Sequence, residues 1–387
     1  MLSIVLLVAF AGFDTTFPTW PDGRTAALSL VFDDGRNDHV NFAAPMLTER
    51  GLVGTFGLMP GVNWATRGPL FAAVAAQGHE LASHTMLHQA CRIQTPEVDA
   101  ATPPANSNFH SLEELAADCV AAKAALDAIQ PRSTVSFVYP GGTNEAQTRA
   151  VIAEHFIAAR LSTSGIQINA ISPPDMMQVK PVYVGGAQPT VTDWCDFGEV
   201  DAFFDAVLTQ LVSGGGWVAE EYHDIECPGY AALNLDAWAA HLDELQAMAP
   251  VLWVASMGDA ARYIAQRNAA AVTTHAQHAG YAILSIDDGL DDAIFDLPMT
   301  VTTDLPESWV SATVSQGSAS IPITVAGGFI TYNVLANGVP FTLTSSEMGE
   351  TFAVCMLGPG VPSGCDAFDF DDDTDVDLAD FAALQRQ

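Results

Sequence analysis

Basic residues are scarce in this chain of 387 residues. Only 13 are lysine or arginine, against 46 aspartates and glutamates, which gives a formal net charge of −33. Nucleic acids and anionic membrane surfaces are bound by basic faces. The composition therefore argues against both as partners and leaves neutral or cationic polymers and divalent cations open as partners. A general adaptation to high salt would produce the same acidic surface, so charge alone assigns no role.

Long apolar runs are also lacking. The N-terminal run of residues 2–11 is shorter than the roughly 20 residues that span a bilayer. It is typical of a signal peptide, and Ala9-Phe10-Ala11 fits the small-x-small cleavage pattern, although no Lys or Arg precedes the run. The sequence predicts a signal peptide over residues 1–11, a secreted or cell-surface protein, and no transmembrane anchor. The alternative is an apolar first strand.

Cysteines are few, and none has zinc-finger spacing. The six allow 15 complete pairings and fit an oxidising compartment. Cys355 and Cys365 flank a Gly/Pro loop, and we expect this pair to be bridged. The other four are Cys91, Cys119, Cys195 and Cys227, and the sequence leaves open whether they are bridged or are buried thiols.

The hydrophobic content of 49% is enough for more than one folded domain. Over residues 25–267, short β-like runs alternate with Ala/Leu-rich helical stretches, which predicts an α/β domain with parallel strands. The predicted strands are residues 26–32, 54–58, 79–83, 135–138, 217–222 and 251–254, and the predicted helices are 41–50, 70–77 and 111–129. Catalytic groups are expected at the C-terminal ends of such strands.

Two further segments follow this domain. Residues 272–346 are rich in Thr, Val, Ile and Ser without a helical period, which predicts a small all-β, sandwich-like domain. Its Asp287-Asp288-Gly289 sequence is interpreted as a turn. Residues 352–387 contain a run of alternating aspartates that resembles a calcium loop followed by a helix.

The predicted calcium ligands occupy alternate loop positions. They are Asp369, Asp371, Asp373, Asp375, Asp377 and Asp380. Thr374 stands where the sharp turn favours Gly, and Asp380 replaces the usual Glu. The alternative is a merely acidic, solvated tail.

Two short motifs carry the chemistry of the α/β domain. A β-like apolar run ends in Asp33-Asp34-Gly35, and His84 and His88 follow about fifty residues later. Two imidazoles four residues apart converge on one ion if their segment makes a helical turn, and an oxygen of Asp34 completes three ligands. Asp33 is then placed as a general base. These residues predict a hydrolytic metal site.

The remaining histidines are interpreted as ordinary structural or surface residues. Asp38 and His39 are expected to form a solvated helix start, although they could contact the site. We expect His79 and His155 to be structural and His241 to be a surface or packing residue.

The motifs resemble those of polysaccharide deacetylases of carbohydrate esterase family 4, the NodB homology domain, over residues 25–266. Phe32–Gly35 resembles the first motif, His84–His88 the second, Phe137–Gly142 the third and Glu221–Asp224 the last. The resemblance implies an irregular (β/α)7 barrel with one divalent ion, usually zinc, held by the Asp34, His84 and His88 set.

The resemblance also implies roles for other residues. Asp33 would be the base, His223 the acid, and a backbone N–H near Gly141, with Tyr139 beside it, would hold the oxyanion. Asp193 and Trp194 resemble the fourth motif, whose pair steadies the acid histidine and lines the acetyl pocket.

One position departs from the family pattern. Val138 stands where many members have an arginine that orients the base. Asp33 must therefore be held in another way, or its basicity differs.

The tail resembles one half of a type I dockerin, a module that binds cohesin or tethers secreted enzymes. A full dockerin has two calcium loops and this chain has one. A cohesin-like or cell-surface partner is expected on that basis.

The sequence thus predicts a secreted, metal-dependent deacetylase that converts N-acetylglucosamine-containing glycans of the chitin or peptidoglycan type to amine and acetate. Three alternatives stay open. They are an acetylxylan-type O-deacetylase, a hydrolase of small cyclic amides, and a degenerate deacetylase that serves as a carbohydrate-binding or scaffold protein.

Overall fold

The computed structural model describes residues 13–94, 108–278 and 280–346. The chain divides into two compact units. The larger contains residues 19–268 and 290–297, and the smaller contains the described residues of 1–18, 269–289 and 298–387. The signal peptide of residues 1–11, Cys355, Cys365 and the calcium loop of residues 369–380 lie outside the described residues.

The strands, numbered in chain order, are β1 (Thr15–Thr16), β2 (Ala26–Phe32), β3 (Gly54–Leu58), β4 (Glu80–Ser83), β5 (Ala90–Ile93), β6 (Asn108–Phe109), β7 (Ser136–Val138), β8 (Ala158–Arg160), β9 (Pro181–Tyr183), β10 (Trp217–Tyr222), β11 (Leu252–Val254), β12 (Ala271–His278), β13 (Tyr281–Asp287), β14 (Met299–Asp304), β15 (Ser311–Gln316), β16 (Ala319–Thr324), β17 (Phe329–Val334) and β18 (Phe341–Ser345). The helices are α1 (Ala44–Glu49), α2 (Trp64–Ala75), α3 (Leu112–Asp127), α4 (Ala146–Ala153), α5 (Phe197–Gly214), α6 (Leu235–Ala247) and α7 (Met257–Ala269).

A parallel sheet forms the centre of the larger unit. Its strand order is β8-β7-β4-β3-β2-β10-β9, with β11 also paired to β2. The sheet closes through Val179, just before β9, because its N–H donates to Ala159 O at 3.0 Å and its carbonyl accepts from Leu161 N–H at 2.9 Å. The prediction of an irregular α/β barrel is confirmed.

Strand β2 is the central strand of this sheet, and all seven of its residues are buried. A strand covered on both faces needs apolar side chains along its whole length, which explains the continuous run of residues 26–32. Side chains cap the N-terminal ends of two of the long helices, α3 and α5. Ser111 accepts from Glu114 N–H at the start of α3, and Asp196 accepts from Glu199 N–H at the start of α5.

The smaller unit contains two antiparallel sheets. One has the order β12-β13-β18-β15-β16 and the other the order β1-β14-β17. On β17, buried and exposed residues alternate, as expected for a strand with one face on a core. The Asp287-Asp288-Gly289 segment forms a turn in which Gly289 N–H donates to Asp287 Oδ1 at 2.8 Å. Within the described residues, no helix is both long enough and apolar enough to cross a membrane.

Candidate active site

The sequence motifs meet at one rim of the barrel because each follows the C-terminal end of a parallel strand. Asp33 and Asp34 follow β2, His84 follows β4, Gly141 follows β7 and His223 follows β10. All five line one cavity of about 1020 Å³. Candidate catalytic residues that are separated by almost two hundred positions in the sequence therefore lie in a single site.

Three side chains of this cavity form a set that can hold a metal ion. Their candidate ligand atoms, in Asp34, His84 and His88, all lie within 4.8 Å of one another. The Nε2 atoms of His84 and His88 each lie 3.5 Å from Asp34 Oδ1. Two imidazoles and one carboxylate are a donor set suited to zinc and similar divalent ions.

The orientation of His84 supports this assignment. Its Nδ1 lies 2.8 Å from the backbone carbonyl oxygen of Val138 and must donate to it, which leaves the Nε2 lone pair facing the site. An imidazole fixed in this way by a backbone carbonyl is the usual arrangement of a metal-ligating histidine. The residues present therefore fit a divalent ion.

The two histidines do not lie on a helical turn, contrary to the sequence expectation. Thr85 and His88 have φ values of 59° and 61°, so a left-handed turn brings the imidazoles together. Non-glycine residues rarely adopt this region, and strained backbone of this kind concentrates at functional sites. Asp34 also has a positive φ of 69°.

The turn between the histidines is anchored from outside the cavity by Asp118 on α3. Both of its carboxylate oxygens accept from Met86 N–H, at 3.0 and 3.2 Å. Burial raises the pKa of Asp118 to about 6. Asp118 thus helps to fix the segment that carries both imidazoles.

Asp33 is held by an arginine that the sequence motifs did not identify. Arg160, the last residue of β8, is fully buried, and its Nη2 donates to both carboxylate oxygens of Asp33 at 2.5 Å. Its Nη1 lies 2.6 Å from Glu221 Oε2, and the other oxygen of Glu221 accepts from Ser162 Oγ. One guanidinium therefore faces two buried carboxylates.

The pKa values of the two carboxyl groups move in opposite directions. Burial raises the pKa of Asp33, but the charge of Arg160 and of nearby histidines outweighs it, so the pKa lies below its ordinary value. Burial raises the pKa of Glu221 to about 7, against the opposing charge of Arg160. Asp33 is therefore the carboxylate that stays ionised near neutral pH, as a base must.

Arg160 lies directly beside the position where the family arginine was missing. In the parallel pairing of β7 with β8, Arg160 is the partner of Val138. The arginine is thus supplied by the next strand. The only sequence signal was the short run Ala158-Ala159 ending in Arg160, which was not assigned as a strand.

His223 is buried at the end of β10. Burial lowers its pKa, and its ring lies 5.5 Å from that of Tyr183 and 5.0 Å from that of Tyr230. Candidate ligand atoms of Asp33, Glu221 and His223 lie within 4.8 Å of one another. The imidazole therefore lies close to the base in the cavity.

His39 holds the backbone of this segment, and the expectation of a solvated helix start was wrong. His39 is fully buried, and its Nδ1 accepts from Arg36 N–H at 3.1 Å. Its Nε2 must therefore donate to the carbonyl oxygen of His223, 2.7 Å away. Burial lowers the pKa of His39 to about 4, so the ring is neutral. His39 connects the first motif to the last.

A disulfide between Cys195 and Cys227 anchors the loop that follows His223. Tyr230, 59% exposed, lies at the cavity edge on this loop, and its N–H donates to Asp224 Oδ2 at 2.6 Å. Arg36 pairs with Asp224 and lies 5.6 Å from the ring centroid of Tyr230. The other described cysteines, Cys91 and Cys119, are buried free thiols.

Three residues of the predicted site lie elsewhere. Asp193 is exposed and accepts from Cys195 N–H, while Trp194 donates to Gly186 O at 2.7 Å and packs against Phe203. Neither lines the cavity. Tyr139 is buried, does not line the cavity, and has a pKa raised by burial. All three lie outside the lining of this cavity, and their expected roles toward the substrate stay predictions.

Two other histidines are buried within the barrel unit. His79 accepts from Gly54 N–H through Nδ1, in agreement with a structural role. His241 is buried on α6, 3.1 Å from Glu220 Oε2 and stacked on Phe204 at 3.8 Å. It is a packing residue, not a surface residue.

Comparison with known proteins gives one curated relative and several solved structures. The chain is 24% identical over 331 residues to a gellan lyase from Bacillus sp, over 80% of this chain and only 12% of that protein. It thus covers a small part of that relative, whose overall activity does not transfer.

Two solved structures named as polysaccharide deacetylases also resemble it. The Mycobacterium smegmatis protein is 18% identical over 64% of this chain and 93% of its own, with a TM-score of 0.46. The Pseudomonas aeruginosa PAO1 protein is 16% identical over 64% of this chain and 93% of its own, with a TM-score of 0.43. Similarity at this level supports no inference about activity.

One family model matches part of the chain. It is described as polysaccharide deacetylase and matches residues 21–159, which contain Asp33, Asp34, His84, His88 and Gly141. Residues 21–159 of the chain are therefore similar to polysaccharide deacetylases.

Proposed function

We propose that this protein is a metal-dependent deacetylase that hydrolyses N-acetyl groups of N-acetylglucosamine-containing glycans, releasing acetate and leaving an amine. The observation that carries the proposal is the joint placement in one cavity of a three-ligand set and a buried carboxylate held by Arg160. His223 faces the same space.

Asp34, His84 and His88 would hold the divalent ion, with zinc as the expected metal. A bound divalent ion polarises a carbonyl oxygen and makes water acidic enough to attack at neutral pH. Asp33 accepts the proton of the attacking water, because Arg160 keeps its carboxylate ionised and fixed in orientation.

His223 then supplies a proton to the departing nitrogen. This role requires the imidazole to be protonated when the carbon–nitrogen bond breaks, and the nearby carboxylates Asp33 and Asp34 favour that form against the effect of burial. A backbone N–H near Gly141, which lines the cavity, is proposed to stabilise the developing oxyanion.

The test combines metal content with acetate release. The zinc-loaded parent should release acetate from N-acetylglucosamine oligomers, and Asp33→Ala should keep the metal while losing turnover. The double variant His84→Ala, His88→Ala should lose both. Equal turnover in the parent and Asp33→Ala would refute the base, and unchanged metal in the double variant would refute the metal site.

A comparison of substrates tests the bond that is cleaved. Acetylated xylan carries O-acetyl groups, so the same zinc-loaded protein should release acetate faster from N-acetylglucosamine oligomers. Faster release from acetylated xylan would replace the N-deacetylase assignment with an O-deacetylase. Binding of both glycans without any release would indicate a carbohydrate-binding protein.

The proposal extends to location and to the tail. The N-terminal apolar run supports secretion, and the Cys195–Cys227 disulfide fits an oxidising compartment. The aspartates of residues 369–380 support calcium binding and attachment to a cohesin-like or cell-surface partner. Calorimetric titration of calcium into the full chain and into Asp369→Ala, Asp371→Ala tests the calcium site.

A further inference from the structure

Two arginines line the cavity, and they differ in their partners. Arg36 is neutralised by Asp224, with Nη2 to Oδ2 at 2.7 Å. Arg67, on α2, donates from Nη2 to the backbone carbonyl oxygen of Asp34 at 2.6 Å. An ion pair requires a nitrogen-to-oxygen distance of at most 4.0 Å. Among residues 13–94, 108–278 and 280–346, no carboxylate oxygen lies that close to a guanidinium nitrogen of Arg67.

Arg92, Lys180 and Arg267 also have no ion pair among the described residues, but Arg67 is the one of these four that lines the cavity. With 46 acidic residues against 13 basic ones, a carboxylate partner is abundant for any arginine on the surface. Arg67 is instead half-buried in the wall of the cavity. A guanidinium stays charged in proteins and has five N–H donors, so donation to one carbonyl leaves donors and a full charge available.

The position of Arg67 links this charge to the reacting centre. Its partner is the backbone of Asp34, one of the three proposed metal ligands. The amide side chains of Asn37 and Asn63 line the same cavity and offer further donors. The cavity that contains the metal-ligand set is therefore also lined by a cation without an ion pair and by two neutral amides.

We propose that Arg67 binds a carboxylate of the glycan, so that the substrate is an acidic glycan in which a carboxylate-bearing sugar adjoins the acetylated one. The planar guanidinium matches a carboxylate with two parallel hydrogen bonds. This assignment rests on the proposed deacetylase function for the identity of the neighbouring acetylated sugar. Among the predicted glycans, it disfavours neutral chitin.

Binding to two matched oligosaccharides tests the site without relying on turnover. One probe is a tetrasaccharide of alternating N-acetylglucosamine and glucuronic acid, and the other is the same molecule with its carboxyl groups reduced to alcohols. Calorimetry uses zinc-loaded protein with Asp33→Asn, which prevents consumption of the probes. The acidic probe should bind roughly 10- to 150-fold more tightly, as expected for a charge-assisted hydrogen bond.

Substitution of Arg67 should remove this preference. Arg67→Gln should bring the two dissociation constants within about threefold of each other, while Arg67→Lys should retain part of the difference because it keeps a point charge. The control Arg132→Gln removes an arginine that pairs with Asp259 and does not line the cavity, so it should leave the preference intact.

The outcomes separate this site from the proposed reaction. Equal affinities for the two probes before any substitution of Arg67, or a preference that survives Arg67→Gln, would overturn the carboxylate site. Acetate release by the protein with Asp33 intact is measured on both probes in parallel. Absence of release from both, with the binding preference present, would overturn the deacetylase function and leave the carboxylate site standing.

Discussion

Arg160 on β8 donates two hydrogen bonds to the carboxylate of Asp33, which follows β2. In the family that this chain resembles, the arginine with this role belongs to the third motif, where this chain has Val138. Because Arg160 is the parallel-sheet partner of Val138, a long side chain from the neighbouring strand reaches the same carboxylate. The departure from the motif at Val138 therefore does not leave Asp33 without an arginine partner.

Replacement of Arg160 should abolish turnover while sparing the metal. Arg160→Gln would leave Asp33 and Glu221 buried together without a cation, so the pKa of Asp33 should rise and the carboxylate should lose its fixed orientation. We expect kcat to fall by about 100-fold or more. The acid limb of the pH–rate profile should move to higher pH, because the base is active only when ionised. The measurement is the rate of acetate release as a function of pH, together with the zinc content of parent and variant.

The matched control for this experiment is Arg132→Gln. Arg132 is also an ion-paired arginine of the barrel unit, 39% exposed and bonded to Asp259 and Asp296. Its substitution should leave kcat and the pH profile unchanged. Parent-like kcat in Arg160→Gln would contradict the assignment of Arg160 as the residue that positions the base.

Asp118 should make stability depend on pH. Its folded-state pKa, raised by burial to about 6, lies above the ordinary value of 3.8. The folded protein therefore binds the proton more tightly than the unfolded chain, and this contribution to stability is lost as pH rises from about 4 to about 6. Two pKa units correspond to about 3 kcal/mol. Asp118→Asn should remove this dependence, since an amide does not titrate.

Urea unfolding of parent and Asp118→Asn with a chelator, at pH 4.5 and 7.5, gives the comparison. Relative to the parent, the free energy of unfolding of Asp118→Asn should be higher at pH 7.5 than at pH 4.5. Asp118→Ala should in addition weaken zinc binding by about 10- to 100-fold, since it frees the Met86 N–H between the two histidines. Identical pH dependence in parent and Asp118→Asn would show that the carboxyl is not titrating in this range.

Glu220 should contribute to stability and not to chemistry. Successive residues of a strand point to opposite faces, so Glu221 faces the cavity while Glu220 is buried against α6. Its Oε2 accepts from Tyr222 Oη at 2.6 Å and lies 3.1 Å from His241 Nε2. Glu220→Ala leaves two buried polar groups without this partner and should cost about 3 kcal/mol. Denaturant unfolding measures this loss.

The double variant Glu220→Leu, Tyr222→Phe serves as the comparison for that experiment. It removes the carboxylate and the hydroxyl together and leaves His241 as the one group without this partner, so it should be less destabilised than Glu220→Ala. Both variants should retain kcat under conditions where they are folded. A fall in kcat of Glu220→Ala at full folding would place Glu220 in the chemistry instead.

The parts of the site that sequence predicted are those with a local signature. The Asp33-Asp34-Gly35 and His84–His88 segments each follow a β-like run, and the parallel arrangement of those runs predicts that their C-terminal ends share a rim. Strand β2 was predicted with its observed bounds because its burial on both faces requires an unbroken apolar run.

The parts that sequence missed depend on contacts between distant segments. Arg160 bonds to a residue 127 positions away, and His39 to one 184 positions away. Neither partner can be read from local spacing. The left-handed turn of Thr85 and His88 was missed for a different reason, since a four-residue separation suits both a helical turn and this tighter one. Asp193 and Trp194 matched a motif by residue type alone, and their neighbours hold them away from the cavity.

The disulfide between Cys195 and Cys227 should stabilise the fold and hold the loop at the cavity edge. Cys195 and Cys227 are 32 residues apart, and a closed loop of this length corresponds to about 4 kcal/mol of stabilisation in the chain-entropy model. Cys195→Ser, Cys227→Ser should lose part of that stability. It should also raise KM more than it lowers kcat, because the freed loop carries Tyr230 at the cavity edge while His223 is held by the strand and by His39. Peptide mapping of the parent should recover the Cys195–Cys227 link, and Cys91→Ser, a buried free thiol, is the control and should leave KM unchanged. A loss confined to kcat would show that the loop acts on the reacting groups and not on substrate binding.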